Sequence, residues 1–326
     1  MKVAQLGYGY WGTNIAKALF NTKDIEVHSI FDLDKKRLKE AQKLHEFTAY
    51  QTVDELLKSD IEAVFISTPL ATHYPLIKQS LLAGKHIFVE KPFAQNIEQT
   101  KELIDLAKEK NKIIFSDHIF LYSNAVQYIK EHIHTIGKVI HISSKRQNLG
   151  LFRDYDGAID DLAVHDLYIL EYLLDGISID NLYVNTTKYK NFSNDNEAMA
   201  TILFTCGETT INIDVSWFHP KKIREITIIG EDKTIIYNDL AKDQIEVISS
   251  GKFVQEKDTD DALYNQNISC PEIYIERPEI TSSMSLNNAI EHFVMSVKEN
   301  KEPLSGKESI LKLAYNLQII KKAIND

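Results

Sequence analysis

The sequence predicts an α/β fold: a doubly wound parallel sheet at the N-terminus, then an α+β domain with a large, open, mostly antiparallel sheet. Three observations carry this. Strands and helices alternate over the first ~115 residues and the strands are continuously apolar, the pattern of a parallel sheet covered on both faces. A Gly-x-Gly-x-x-Gly turn, Gly7 to Gly12, joins the first strand to the first helix. Later, several strand-like segments follow one another without intervening helices, as antiparallel neighbours do. A chain of 326 residues suits two domains, placed here at 1–119 and 120–326.

Residues 2–6 read as the first strand and 14–20 as the body of a helix. A second strand, 25–31, ends at Asp32, and a charged helix over 34–45 carries Leu38, Ala41 and Leu44 at helical spacing. Thr52 and Glu55 form a capping box that opens another helix. Residues 63–66 are a buried strand, and 72–83 a helix closed by Gly84. The next strand is 86–89. Asn96 caps a helix to about Lys110, and 112–115 is a strand again. A helix at 124–134, a strand at 138–146 and a helix over 160–174 follow. Strands are then expected at 181–189, 198–204, 209–217, 223–230 and 234–238. Residues 250–280 are polar and read as a long irregular loop or lid. Two amphipathic helices finish the chain, one through Leu286, Ile290, Phe293 and Val297, one from Ile310 to Ala323.

Composition narrows the function. A net charge of −10 argues against a nucleic-acid partner, which needs a basic surface. No apolar run approaches the ~18 residues of a membrane span, so no membrane partner is expected. The opening residues show no charged leader before an apolar stretch. Two cysteines, Cys206 and Cys270, cannot make a metal cluster and suit a reduced, cytoplasmic protein. No metal site is expected.

Gly7, Gly9 and Gly12 have the spacing of a dinucleotide-binding turn. The first glycine permits the tight turn, the second lets backbone approach a pyrophosphate, and the third lets helix and strand close together. The helix N-terminus offers N–H groups and a positive dipole end to the phosphates. Tyr10 and Trp11 complete the loop. Asp32, twenty positions beyond Gly12, ends the second strand, where a carboxylate accepts ribose hydroxyls and repels a 2′-phosphate. The expected cofactor is therefore NAD, although Lys35, Lys36 and Arg37 follow closely.

Glu90-Lys91-Pro92, after Ala83-Gly84-Lys85-His86, together with Thr68-Pro69-Leu70-Ala71-Thr72-His73, resembles the glucose–fructose oxidoreductase/inositol dehydrogenase/rhizopine-catabolism family of NAD(P)-dependent dehydrogenases. The resemblance covers essentially the whole chain. It implies a Rossmann domain and a C-terminal domain whose open sheet often serves oligomerisation, hence a homodimer or homotetramer. The final helices belong with the second domain or return to the first. Thr68, Pro69, His73, Glu90 and Lys91 join the expected cofactor contacts. Lys91 would lie near the nicotinamide and the reacting hydroxyl, and a desolvated lysine there suits acid–base work.

The family's Asp-x-x-x-His pattern matches Asp161 and His165, four apart on an expected helix and so on one face. His165 is the expected base, Asp161 the group that orients it or binds a substrate hydroxyl, and Lys91 the group that polarises the oxygen; the base stays open between Lys91 and His165. Asp160 and Asp166 read as acids suited to a helix N-terminus. Many relatives carry a further Asp where this chain has Tyr168.

Residues 8–14, 146–153 and 217–224 resemble the nucleotide-sugar branch, whose members oxidise the 3-hydroxyl of UDP-N-acetylhexosamines before transamination in lipid A or other surface-glycan synthesis. The expected substrate is UDP-N-acetylglucosamine and the expected functional partner an aminotransferase. Arg146, Asn148, Arg153, Asp161 and His165 are the expected substrate contacts, with Lys222 and Arg224 as further cations for a diphosphate. The alternatives are a dehydrogenase of a UDP-N-acetylhexosaminuronate, a free sugar or an inositol, a glycosidase that uses NAD transiently, and an NAD-binding sensor without turnover.

Overall fold

The computed structural model describes residues 1–150, 156–189, 196–250, 254–256, 267–269, 273–281 and 284–324. The chain divides into two units: Met1–Ser123, Leu167–Glu171 and Ser283–Lys322 form the first, Asn124–Asp166, Tyr172–Ser282 and Ala323–Asp326 the second.

The first unit alternates strand and helix in the predicted order: β1 (Lys2–Leu6), α1 (Tyr10–Asn21), β2 (Glu26–Phe31), α2 (Lys35–Leu44), α3 (Val53–Leu57), β3 (Ala63–Ile66), α4 (His73–Leu82), β4 (His86–Val89), α5 (Ile97–Glu109) and β5 (Ile114–Ser116). The five strands are parallel in the order β2-β1-β3-β4-β5. The order reverses beside β1, which creates the switch point where such sheets bind ligands outside the carboxyl ends of their strands. All four residues of β3 are inaccessible to solvent, which explains a strand without polar alternation. The helix starts follow from caps: Asn96 Oδ1 accepts from Gln99 N at 2.9 Å, and Thr52 Oγ1 from Glu55 N at 3.2 Å. The Glu55 carboxylate accepts from Gln51 N at 3.1 Å, so the expected box reaches one residue further back. Helix α1 begins at Tyr10 because Gly9 is its N-cap, with Thr13 N donating to Gly9 O at 3.1 Å; Gly12 is thus inside the helix.

The second unit holds α6 (Asn124–His132), β6 (Val139–Leu149), a π-turn at Ile159–Ala163 and the start of α7 (Val164–Leu173). Then come β7 (Asp180–Lys188), β8 (Glu197–Cys206), β9 (Thr209–Ser216), β10 (Phe218–Gly230), β11 (Lys233–Asn238), β12 (Ile245–Ser250), β13 (Val254–Glu256), β14 (Asn267–Ser269) and β15 (Ile273–Glu276). Eight strands make one sheet in the order β15-β12-β11-β10-β6-β9-β8-β7. Among the described residues its only parallel pair is β6 with β9, so the sheet is mostly antiparallel, as expected. Along β8, Ala198, Ala200, Ile202 and Phe204 are buried while Met199 and Leu203 are exposed, the period-two signature of one covered face. The stretch 250–280 is not wholly irregular. Ile273, Tyr274 and Ile275 pair with β12 as the sheet's edge, and polar neighbours on both sides hid this strand in the sequence.

The chain then returns to the first unit with α8 (Ser285–Glu299) and α9 (Lys307–Lys322). Phe293 explains part of this return. Its ring stands edge-on to Phe65, Phe88 and Phe115, which project side by side from β3, β4 and β5, at centroid distances of 5.4, 5.7 and 5.7 Å. No helix among the described residues is long and apolar enough to cross a membrane.

Candidate active site

Two sets of expected site residues lie in separate units. The first set surrounds the glycine turn. Gly7 has φ +94°, and a Cβ there would lie 2.7 Å from Ser67 O, so neither the conformation nor the space admits a side chain. A Cβ on Gly12 would lie 2.9 Å from Ser67 Oγ and 2.5 Å from Gly7 O. Gly9 is different: its nearest neighbour would be Arg37 Nη1 at 3.7 Å, which leaves its outer side open. The turn is braced from inside by Gln5, whose buried Nε2 donates to Gly7 O at 2.8 Å and Gly12 O at 2.7 Å. A polar residue in a buried strand just ahead of the glycines was the signal for it.

Asp32 is fixed by backbone donors. Its Oδ2 accepts from Tyr8 N at 2.7 Å and its Oδ1 from Asp34 N at 2.8 Å. Arg37 Nη1 stands 3.8 Å from Oδ2, an ion pair open to solvent on the Arg37 side. The residues present fit a dinucleotide: a two-glycine close approach, a third glycine open to the outside, no side chain capping α1, and an acid at the end of β2. Tyr10 is exposed, and Trp11 is half-buried with its indole Nε1 shielded from solvent.

Thr68 and Pro69 follow β3. Thr72 Oγ1 donates to Pro69 O at 2.7 Å and contacts Thr68 Oγ1 at 2.6 Å. His73 is buried, with Nδ1 2.9 Å from Pro92 O and Nε2 2.9 Å from Thr68 O. Burial holds its imidazole below the usual range despite these contacts. Both ring nitrogens are engaged within the protein, so His73 braces the Thr68 turn against the segment after β4. That segment carries Glu90 and Lys91, both half-buried, at the carboxyl end of β4, and the Lys91–Pro92 bond is cis.

The second set lies on and around the π-turn. Asp161 N donates to Gly157 O at 3.0 Å, and Asp161 Oδ2 accepts from Trp217 Nε1 at 3.2 Å. Trp217 is fully buried between β9 and β10, so a distant strand junction fixes the carboxylate. Glu197 Oε1 accepts from Ile159 N at 3.0 Å and anchors the start of the turn. Asp161 and His165 keep some exposure while Leu162, Ala163, Val164 and Asp166 are buried. The expected regular helix is thus a π-turn running into α7. Such turns recur at functional sites, because the extra residue redirects side chains.

Two expectations change here. Arg146 is not an open cation for a diphosphate. It is buried at 3% exposure and holds Asp166, itself 1% exposed, through Nε at 3.1 and 3.2 Å and Nη2 at 2.9 Å. Asp166, expected only as an acid at a helix start, does lie in the first turn of α7 and is in addition the buried counter-ion of Arg146. Burial of an arginine demands a partner, and a fork-shaped guanidinium finds it in one carboxylate. Asn148 is half-buried on β6, next to Gly150. Arg224 pairs with Asp239 at 2.8 Å, and the charge of Arg224 pushes the Lys222 ammonium below its usual range. Arg153 lies outside the described residues. No group of three or more metal-ligating side chains occurs among the described residues.

Sequence reasoning passed over Gln5 and Asp117, and it took Trp217 only as part of the 217–224 resemblance, not as a partner of Asp161. Asp117 directly follows β5, as Glu90 follows β4, and that shared position was its signal.

Comparison with known proteins adds the following. The model of an oxidoreductase family with an NAD-binding Rossmann fold matches residues 1–118, and the model of the same family's C-terminal alpha/beta domain matches residues 153–322. A UDP-N-acetylglucosamine 3-dehydrogenase of Acidithiobacillus ferrooxidans is 27% identical over 237 residues, 72% of this chain and 72% of that protein. Its solved structure superposes with a TM-score of 0.84 at 21% identity, covering 99% of this chain and 97% of that one, which speaks for the fold. A myo-inositol 2-dehydrogenase of Thermotoga maritima is 28% identical over 53% of this chain and 55% of its own length. An uncharacterised oxidoreductase of Synechocystis is 32% identical over 133 residues, but the match spans only 36% of that protein and 40% of this chain.

Proposed function

The chain belongs to the glucose–fructose oxidoreductase/inositol dehydrogenase/rhizopine-catabolism family of oxidoreductases, with an NAD-binding Rossmann domain, and from that premise we propose that it oxidises the 3-hydroxyl of a UDP-N-acetylhexosamine, best UDP-N-acetylglucosamine, to the 3-keto nucleotide sugar. The observation that carries the substrate is the A. ferrooxidans enzyme, which matches across both domains instead of the cofactor domain alone. In this reading residues 1–119 bind the cofactor and 120–326 the sugar nucleotide.

NAD⁺, when bound, supplies the hydride acceptor. The glycine turn and the N-terminus of α1 would hold its pyrophosphate, and Asp32 its ribose. Asp32 is set by two backbone donors, so its carboxylate needs no rearrangement to accept ribose hydroxyls. His165 takes the proton from the C3 hydroxyl. Asp161, itself held by Trp217, orients His165 or a neighbouring substrate hydroxyl. Lys91 donates to the alcohol oxygen and stabilises negative charge as it develops. The alcohol loses a hydride and a proton, which balances to ketone, NADH and one proton. Alignment of the C3–H bond supplies much of the rate. With Arg146 committed to Asp166, the diphosphate falls to Lys222 and Asn148, with Arg153 as a further cation. A 3-keto sugar suits a following aminotransferase. The chain works in the cytoplasm as a homodimer or homotetramer.

The test is NADH formation by the purified chain with NAD⁺ and UDP-N-acetylglucosamine, with a carbonyl trap to pull an uphill oxidation forward. Turnover that disappears in Lys91→Met and His165→Ala, and fails with free N-acetylglucosamine, is the expected result. NAD binding without turnover on the sugar nucleotide removes this substrate. Turnover on myo-inositol instead would place the chain with its T. maritima relative.

A further inference from the structure

Glu90 and Asp117 stand side by side at the carboxyl ends of adjacent parallel strands. Val89 and Ser116 are register partners, and Asp117 N donates to Val89 O at 2.8 Å. The next residue on each strand is therefore an acid, and the two carboxyls are within hydrogen-bonding reach of each other. Asp117 is 1% exposed, and neither of its oxygens has a donor; Glu90 Oε1 is likewise buried without one. Two ionised carboxylates in this position leave at least three buried acceptors unsatisfied and repel each other, whereas one proton between them supplies a donor and removes the repulsion.

From the segment after β4 the charge of Lys91 acts on both acids, and from α1 the Trp11 indole N–H faces Asp117; both favour an ionised carboxylate there, against its burial. The neighbouring His118 is turned away, its Nδ1 3.0 Å from Ser309 Oγ and its ring stacked on Tyr168 at 4.6 Å. Burial pushes Glu90 well above the usual carboxylate range and Asp117 up to about 6.

We propose that Glu90 and Asp117 hold one proton between them and present a single negative charge to Lys91. Asp117 is thus a positioning residue for the reaction, acting through Lys91; the inference rests on the role given to Lys91 above. Without Asp117, Glu90 loses the charge and the hydrogen bond that help burial to raise it, and it ionises in a lower range than in the pair.

Two measurements on the full chain test this without sugar turnover. The first is a carbon-13 NMR titration of side-chain carboxyls from about pH 3 to 9, assigned with Asp117→Asn and Glu90→Gln. Coupled titration in two steps, the first near pH 6, is expected in the wild type, and a single step in each variant. Ordinary, uncoupled ionisation of both acids in the wild type overturns the proposal, and this needs no variant to fold. The second is the rate of Lys91 acetylation by limiting acetic anhydride at about pH 8, read by peptide mass spectrometry. The double variant is expected to react at least about threefold faster than wild type and each single variant within about twofold of it. An unchanged double variant, or single effects that sum to the double, overturns the counter-charge. Absence of NADH with UDP-N-acetylglucosamine strikes the substrate reading and leaves both readouts standing.

Discussion

The glycine turn of the first unit and the Asp161 turn of the second are built in opposite ways. The first is held by backbone: Gly7 and Gly12 close onto Ser67 and each other, and Gln5 ties the carbonyls together. The second is held by side chains from remote strands: Trp217 on Asp161, Glu197 on Ile159, Arg146 on Asp166. Steric requirements of a turn are written locally, as missing side chains at fixed spacing. Side-chain partners are written in pairs that no local spacing connects. At Gly7 and Gly12 the first kind of site tolerates no added atom, and the second kind depends on keeping its partners.

The largest expected effect tests the second kind. Arg146→Met leaves Asp166 as a buried charge without its fork, at a cost of about 3–5 kcal/mol in denaturant unfolding. Arg146→Met with Asp166→Leu is expected to recover most of that loss, because desolvation offset much of the pair's attraction. If the double variant is as unstable as the single, the ion pair is not what the second unit needs there.

Gly7→Ala tests the first kind. A left-handed residue and a Cβ 2.7 Å from Ser67 O together cost about 2–3 kcal/mol, and NAD affinity falls at least about tenfold by calorimetric titration. Gly9→Ala has room, and its fold stability is expected to stay within about 0.5 kcal/mol of wild type while NAD binding weakens. Equal stability losses at both glycines would mean that the turn as a whole, not the close approach at Gly7, sets the requirement.

This contrast also explains what was legible in the sequence. The alternation of β1 to β5, the glycine turn and Asp32 rest on local patterns, so they could be read directly. Ile273 to Ile275 was hidden because a short edge strand between polar stretches has no period to read. Arg146 misled for a physical reason: an arginine looks the same in sequence whether it faces a phosphate or a buried carboxylate, and Asp166 answers it from twenty positions away. The π-turn at Ile159–Ala163 inserts a residue into a helical pattern without changing its composition, so spacing alone could not show it.

A pH experiment sharpens the comparison within the first unit. Burial pushes the His118 imidazole down to about 3, so the folded state holds fewer protons than the unfolded chain as pH falls below the ordinary histidine value. Its contribution is complete above about pH 6.5 and is lost toward pH 3. Asp117, raised to about 6, runs the other way: its contribution declines as pH rises from about 4 to 6 and is constant above. The stability of wild type relative to His118→Gln is expected to fall by about 2 kcal/mol from pH 6.5 to pH 5, measured by denaturant melts at each pH. A flat difference would mean that the ring is protonated in the folded state.

A smaller loss than that of the buried ion pair is expected at Trp217, where positioning and packing can be separated. Trp217→Phe keeps a buried aromatic ring but removes the N–H that Asp161 Oδ2 accepts. One hydrogen bond to a carboxylate is worth about 1.5 kcal/mol, close to tenfold in an equilibrium or a rate. Turnover of the proposed sugar nucleotide should therefore drop by about tenfold in kcat with the KM for NAD⁺ unmoved, since no part of the glycine turn is touched. Asp161→Asn, which retains an acceptor for the indole but not the charge, should lose more than Trp217→Phe. If Trp217→Phe loses stability but keeps kcat, the indole serves packing alone, and Asp161 is held in place by the π-turn backbone, through the bond from its N–H to Gly157 O. Asp161 would then rest on backbone as the first site does, and the distinction between the two regions would narrow to Glu197 on Ile159 and the Arg146–Asp166 pair.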